Sequence, residues 1–404
     1  AFMDCFNLEE VTFAKNCVLT DLGEAAFKNC VALKSIAIPS GVTKLNPYTF
    51  YNCRSLETAT LPNQLTNIGY KTYGSKDTTE VISTSGGYVF AHCESLSAIN
   101  IPETVKWIQP YSFLNCKSLK NVEINVESGN LGESAFAGCS ALQEVVLCEG
   151  LQALPTKVFA NCTSLSRVYT KGATGVAEGM ADLSNILGFG YKYYSSPKYS
   201  FSMGTNAFLN CTSIREVKLS ELADFKALGD NTFDGCTNLA YVNKTNVSTD
   251  ENAPEYISKF PDQMIYLGTY TFRNTALTSV RMPDSLRSLG STAPSDTGKT
   301  GLPSGLVAGA TDEYKCTPTT TSAIFDGCTK LTKVDLNNVV RIGGLAFRNC
   351  PLTDVAGTKN EKTGEIEGAL DLSNVVVFGK GAFAGTGLKA ADLTGVWVKN
   401  TGTT

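Results

Sequence analysis

Apolar residues along this chain recur in one phrase, Phe-x-x-Cys-x-x-Leu-x-x-Val/Ile. It reads Phe27-Cys30-Leu33-Ile36, then Phe90-Cys93-Leu96-Ile99, Phe113-Cys116-Leu119-Val122, Phe136-Cys139-Leu142-Val145 and Phe159-Cys162-Leu165-Val168. Further copies begin at Phe2, Phe50, Phe208, Phe233, Phe272, Phe325, Phe347 and Phe383, which makes thirteen; from Phe90 to Phe159 the spacing is a strict 23 residues. The Leu-x-x-Ile-x-Ile piece alternates as a short strand does when one face is buried. Pro39, Pro62, Pro102 and Pro283 follow it and end it, because proline has no N–H for the next rung. The Ala/Thr-Phe-x-x-Cys piece has helical spacing, which predicts a short helical turn on the opposite side.

A unit this small cannot bury its own apolar face, so the copies must stack. The expected fold is an α/β solenoid of about thirteen stacked units of ~23 residues. A parallel sheet covers one face and short helical turns the other. Rungs spaced about 4.8 Å apart give a sheet of roughly 60 Å. Residues 1–404 are expected to form a single array, interrupted by insertions at 70–88, 171–204, 243–262, 291–322 and 357–369.

The repeated phrase resembles the BspA-like leucine-rich repeats, also called the Treponema pallidum type, over nearly the whole chain. The resemblance implies a right-handed leucine-rich-repeat solenoid displayed on a bacterial surface. It also implies roles in adhesion and host-protein binding, or, in some members, service beside outer-membrane nutrient-uptake machinery. The family brings no shared catalytic residues. The chain departs from the pattern at Thr275 and Thr386, which stand where other copies carry cysteine.

Composition narrows the partners. A net charge of −4 and a pI near 5.3 argue against nucleic acid, which needs a concentrated basic face. An apolar share of 43% with 18% charged residues suits a well-packed chain. No stretch reaches the roughly 18 apolar residues of a membrane span. A signal peptide is not visible at Ala1, so any lipid anchor is expected upstream.

Eleven of the fourteen cysteines occupy one repeat position: Cys5, Cys30, Cys53, Cys93, Cys116, Cys139, Cys162, Cys211, Cys236, Cys328 and Cys350. Their spacing lacks the close pairs of a zinc site. Adjacent rungs bring them within disulfide reach, yet stacked equivalents lie side by side, which is poor geometry for a bridge. The expectation is a column of buried thiols filling space. Cys17, Cys148 and Cys316 lie off the column.

No catalytic, cofactor or metal site is expected. His92 is the one histidine, and it takes the variable place in Phe90-Ala91-His92-Cys93 where other copies carry Asn29, Asn52 or Gly138. That place reads as a solvated helix position, so a Ser-His-Asp or Cys-His mechanism lacks its base. Gly298-Lys299-Thr300 ends like a phosphate loop, but Ala293 stands where its first glycine belongs. Gly188-Phe189-Gly190 fails the dinucleotide fingerprint at Tyr193. Asp250-Glu251 and Asp312-Glu313 are loop acids suited at most to weak calcium binding.

Binding is expected along the insertions. Those at Tyr70–Tyr88, Phe189–Gly204 and Ser291–Ser322 each follow an Ile/Leu-Gly pair and precede the next Phe, so they should share one edge of a solenoid. The middle one is unusually aromatic, and tyrosine gives large contact area at low entropy cost. The candidate partner-binding residues are Tyr70, Tyr73, Tyr88, Phe189, Tyr191, Tyr193, Tyr194, Tyr199, Phe201 and Tyr314; the competing role for these rings is packing against the solenoid. The expected function is cell-surface protein recognition or adhesion at the outer membrane, with a host surface protein or a glycan as ligand. The alternatives are an accessory subunit of an outer-membrane nutrient-uptake complex, whose partner is a membrane-complex subunit, and, far behind, a hydrolase.

Overall fold

A computed structural model of the chain describes residues 1–69, 86–127, 129–151, 153–186, 204–222, 225, 227–248, 255–290, 321–353, 358–359, 366–367, 370–375, 377–388 and 391–392. They divide into two compact units, 1–214 and 215–404.

In the first unit the rungs contribute a strand or a single bridge at the Val/Ile position, and three add a second, shorter strand. The strands are β1 (Ser35–Ala37), β2 (Lys44–Leu45), β3 (Thr58–Thr60), β4 (Asn67–Ile68), β5 (Trp107–Ile108), β6 (Asn121–Ile124), β7 (Glu144–Leu147), β8 (Arg167–Thr170) and β9 (Met180–Leu183). β6 to β9 pair in parallel, with Asn121 opposite Glu144, Glu144 opposite Arg167 and Val168 opposite Ala181. β1 pairs with β3, and single bridges from Glu10 and to Ala98 carry that ladder on. β2, β4 and β5 form the second ladder. Burial alternates as a one-sided sheet requires: in β7, Val145 and Leu147 are buried while Glu144 and Val146 face out.

The second unit repeats the plan with interruptions. Its strands are β10 (Glu216–Leu219), β11 (Ala227–Leu228), β12 (Tyr241–Val242), β13 (Lys244–Asn246), β14 (Tyr256–Lys259), β15 (Tyr266–Leu267), β16 (Ser279–Arg281), β17 (Ser288–Leu289), β18 (Lys333–Asp335), β19 (Arg341–Ile342), β20 (Thr358–Lys359), β21 (Ile366–Glu367), β22 (Leu370–Asp371), β23 (Val377–Phe378) and β24 (Ala391–Asp392). β14, β16 and β18 are parallel, with Val280 opposite Val334. β13 joins their edge antiparallel. Two of the expected insertions therefore build part of the sheet: β9 lies within 171–204, and β13 and β14 lie within 243–262. Within 357–369 the described residues form the hairpin β20–β21.

Phenylalanines fill the centre. From Phe2 to Phe208 in the first unit, successive rings lie 5.0 to 6.1 Å apart between centroids. The second unit has its own column, Phe233, Phe272, Phe325, Phe347 and Phe383, at 5.4 to 5.8 Å. Phe2 is exposed at the start of the first column and Phe383 half-buried at the end of the second; burying each of the other rings contributes roughly 1.5–3 kcal/mol.

The helical turns expected opposite the sheet do not form: the described residues contain no helix. The backbone explains why. Around each Phe, the residues two before and two after it take positive φ, as in Ala25 (56°) and Asn29 (62°), or Tyr111 (62°) and Asn115 (59°). A left-handed residue at each end breaks a right-handed helical run. Alternate N–H groups then leave the segment for the next rung: Ala25, Phe27 and Asn29 donate to the carbonyls of Pro47, Thr49 and Tyr51 at 3.0, 2.8 and 2.8 Å. An α-helix would have turned those donors back on itself. His92, with φ of 62°, thus occupies a left-handed turn position, not a helical one.

Candidate partner-binding surfaces

The outward residues of the strands carry charge. In the first unit, Arg167 is ion-paired with Glu144, and the Tyr169 hydroxyl donates to the same carboxylate at 2.6 Å. Lys171 bridges Glu103 at 3.0 Å and Glu123 at 2.8 Å. These contacts hold the Lys171 ammonium charged well above its ordinary range, because both carboxylates accept from it. They also pull Glu123 down, first through that hydrogen bond. The Glu144 carboxylate raises Tyr169. All these groups are partly exposed, so screening leaves the pairs worth little stability; what they fix is the pattern of charge on the sheet.

In the second unit, the outward face of β14, β16 and β18 forms a groove of about 590 Å³. Its floor includes Val280, Leu336 and Leu370, all buried. Two ion pairs stand along it: Arg281 with Asp335 at 3.3 Å, and Lys333 with Glu255 at 2.8 Å. Asn337, Asn338 and Asn374 line the remainder with amide groups. An apolar floor between fixed polar walls is what a binding cleft needs.

The turn side of the first unit carries a third surface, made of aromatics. Tyr48, Tyr88 and Tyr111 occupy the position two before Phe on successive rungs, and their rings stack at 5.2 and 4.7 Å. Tyr51 meets Tyr88 edge-on at 6.4 Å and His92 edge-on at 5.5 Å. The Lys28 ammonium sits 5.4 Å from the centroids of both Tyr48 and Tyr51. Burial raises Tyr88 and Tyr111 above the usual phenol range, helped by the neighbouring hydroxyls and Glu133. Burial also lowers His92, so its imidazole is neutral at pH 7.

On the turn side of the second unit, charge takes over from stacked rings, and the one tyrosine two before a repeat Phe among the described residues, Tyr270, lies under the Arg273 guanidinium at 4.5 Å. Arg273 forks onto Asp234 at 2.9 and 2.5 Å, and Arg348 onto Asp326 at 2.8 and 2.5 Å, with both carboxylates buried. These are rung-to-rung braces.

Of the ten residues singled out from the sequence, Tyr88 is described, and it joins this tyrosine stack. Tyr70, Tyr73, Phe189, Tyr191, Tyr193, Tyr194, Tyr199, Phe201 and Tyr314 lie outside the described residues. Tyr48, Tyr51, Tyr111 and Lys28 escaped the sequence reading because they sit inside regular copies, not insertions. The signal was there: a tyrosine at one register position on three neighbouring rungs. Among the described residues, no group of three or more His, Cys, Asp or Glu could hold a metal ion. Nor, among them, is any helix long and apolar enough to cross a membrane.

The sequence matches the family described as the BspA type leucine rich repeat region over residues 1–87, 80–177, 191–299 and 255–366. No curated protein matches the chain. Among solved structures, a leucine-rich repeat protein from Bacteroides ovatus is similar at 19% identity and a TM-score of 0.47, over 94% of this chain and 69% of that one. A leucine-rich repeat protein from Eubacterium ventriosum matches at 16% identity and 0.45, over 92% and 82%. A leucine rich cell surface protein from Faecalibacterium prausnitzii matches at 18% identity and 0.40, over 88% of each chain.

Proposed function

The chain belongs to the BspA-type leucine-rich repeat family, and on that premise we propose that it is a recognition module of a bacterial cell surface. It is held at the outer membrane, binds a protein partner through its repeat faces and inserted loops, and catalyses no reaction. Leucine-rich repeats commonly present a sheet face to a partner, and the groove over β14, β16 and β18 is the observation that carries the reading. Arg281, Lys333 and Asp335 are set on strands and Glu255 directly precedes one, so the charges that meet a partner are already positioned. The single histidine is used in an edge contact with Tyr51, where it supports the turn surface.

Beads coated with the protein would test this on epithelial monolayers with and without prior protease treatment. Retention on untreated cells, lost after protease, is the expected result. Retention no better than albumin-coated beads would end the adhesion reading. Co-purification with membrane subunits from the source cells in mild detergent would instead favour the nutrient-uptake complex.

A further inference from the structure

Three properties of the tyrosine stack coincide on adjacent rungs. First, its rings sit where the backbone resists them. Tyr48, Tyr88 and Tyr111 have φ of 60°, 47° and 62°, a conformation that disfavours bulky residues. Other rungs place Ala25, Ser134, Asn206 or Gly381 there, and where Lys157, Tyr270 or Leu345 stands there it is on a rung whose neighbours carry no tyrosine at that position. Three adjacent tyrosines against that preference point to a use for the side chains themselves.

Second, the rings are half-buried and hold one another in place before any partner arrives. Stacked at 4.7 and 5.2 Å, they have surrendered the rotamer freedom that binding otherwise costs. The stacking also decides what can bind. Tyr48 and Tyr88 cover each other's faces, as do Tyr88 and Tyr111, so a sugar ring cannot lie flat on a face between them. Phenol edges and hydroxyls remain, and these suit a polypeptide.

Third, one end is cationic. Lys28 contacts only the faces of Tyr48 and Tyr51, and the Arg54 guanidinium donates only to the Asn52 amide oxygen, at 2.8 Å. Among the described residues neither cation meets a carboxylate. Among charges, His92, which touches Tyr51, feels Glu94 first and then Arg54 and Lys117; Glu94 is already paired with Lys117, which leaves Lys28 and Arg54 as the unpaired charges beside the aromatic cluster. On other rungs Lys117 is paired with Glu94, Arg273 with Asp234 and Arg348 with Asp326, whereas Lys157, among the described residues, stands alone on its rung without a tyrosine stack beside it.

We propose that this surface docks an acidic segment of a partner protein, with carboxylates against Lys28 and Arg54 and apolar side chains against Tyr51, Tyr88 and Tyr111. The inference rests on the surface-recognition reading and gives it a second, separate site. Charge complementarity of this kind sets specificity and the speed of encounter.

Fluorescence anisotropy on the intact protein tests it with three probes: a labelled peptide of alternating glutamate and leucine, its lysine–leucine counterpart, and polygalacturonate as competitor. The acidic peptide should bind about tenfold more tightly than the basic one, and Lys28→Ala with Arg54→Ala should abolish that preference. Tyr88→Phe should leave both affinity and melting temperature unchanged, since the stack and its apolar edges survive, whereas Tyr51→Ala should weaken binding. Three results overturn the proposal: no preference for acid, a preference that survives the double substitution, or displacement by polygalacturonate as efficient as by unlabelled acidic peptide. Arg281→Ala in the groove should not alter peptide binding; if it does so in place of Lys28→Ala, the acidic segment belongs to the groove. Bead retention separates the two readings: failure there with peptide preference intact removes the adhesion role, not the site.

Discussion

The thiol of Cys116 donates to the carbonyl oxygen of Phe90, one rung back in the stack, at 3.2 Å. The same bond joins Cys53 to Phe27, Cys139 to Phe113, Cys162 to Phe136 and Cys350 to Phe325. The column is more than filler: each thiol is a weak donor that ties one turn to its predecessor. Thr275 and Thr386 keep a donor at that position, though their hydroxyls bond the Phe carbonyl of their own rung.

Burial raises five of the thiols, Cys30 to about 11 and Cys53 to about 12, with Cys93, Cys116 and Cys162 also pushed well above the ordinary 9.0. The folded state therefore binds these protons more tightly than the unfolded chain. Their contribution is complete below pH 9 and is lost as pH rises through 11 to 12. Each of these five thiols should forfeit about 1.4 kcal/mol per pH unit across that window. Urea midpoints should fall steeply above pH 9, and Cys53→Thr should flatten the fall; a midpoint independent of pH up to 11 would contradict the burial argument. Cys5 departs from the expected burial: it holds the column position but is exposed at the first rung, so under iodoacetamide at neutral pH it should label with the off-column Cys17 and Cys148, before the ten buried members.

Phe136 touches Phe113 at 5.0 Å and Phe159 at 6.1 Å and is wholly buried. Phe136→Ala should cost about 3–5 kcal/mol. His92→Asn restores the residue that most copies use at that left-handed position, and should change stability by less than about 0.5 kcal/mol. Urea melts of the two variants with equal midpoints would mean that the spine is not where the stability lies.

Gly138 holds the corresponding position on its rung with φ of 73°, and a Cβ there would stand 2.0 Å from the Asn115 side-chain oxygen. That oxygen ends a rotatable amide, so the site tests backbone conformation more than space. Gly138→Asn should be nearly neutral, because asparagines stack rung to rung elsewhere, as Asn52 donates to Asn29 at 2.8 Å. Gly138→Val should cost about 2 kcal/mol, since a β-branched residue resists positive φ. Thermal melts that rank the two equally would show that the turn tolerates any side chain.

The sheet and the spine were legible because both follow from a period that repeats almost unbroken. Val122, Val145 and Val168 stand opposite one another in the ladder as their spacing implies. The turn was misread for a physical reason: Phe-x-x-Cys fits a helix and a pair of tight turns equally well. The deciding residues were Asn29, Asn52, Asn115 and Asn161, which favour left-handed backbone and mark helix ends rather than interiors. β9 and β14 lay in stretches without the Phe phrase, so their alternation alone gave no register. The tyrosine surface was illegible in any single copy, because Lys28, Tyr51 and His92 meet only when three rungs stack.

The aromatic insertion around Tyr191–Phe201 supplies the last test, and its anchors make the test clean. Before it, Ile186 is buried and its N–H bonds Leu183 at 2.9 Å. After it, the Gly204 N–H bonds Leu154 at 3.0 Å, and Gly204 lies so close to Pro155 that a Cβ would fall 2.2 Å from the carbonyl carbon. Phe208 then rejoins the spine beside Phe159 at 5.6 Å. With both anchors kept, replacing Gly190–Met203 by a short Gly/Ser turn should leave the melting temperature within a few degrees, because solvated loops hold little core energy. Bead retention should meanwhile fall at least about tenfold, or about 1.4 kcal/mol, if the tyrosines contact the partner. Unchanged retention with a collapsed melting temperature would make these rings packing residues. The strand-face groove and the Tyr48–Tyr111 stack would then carry the binding between them.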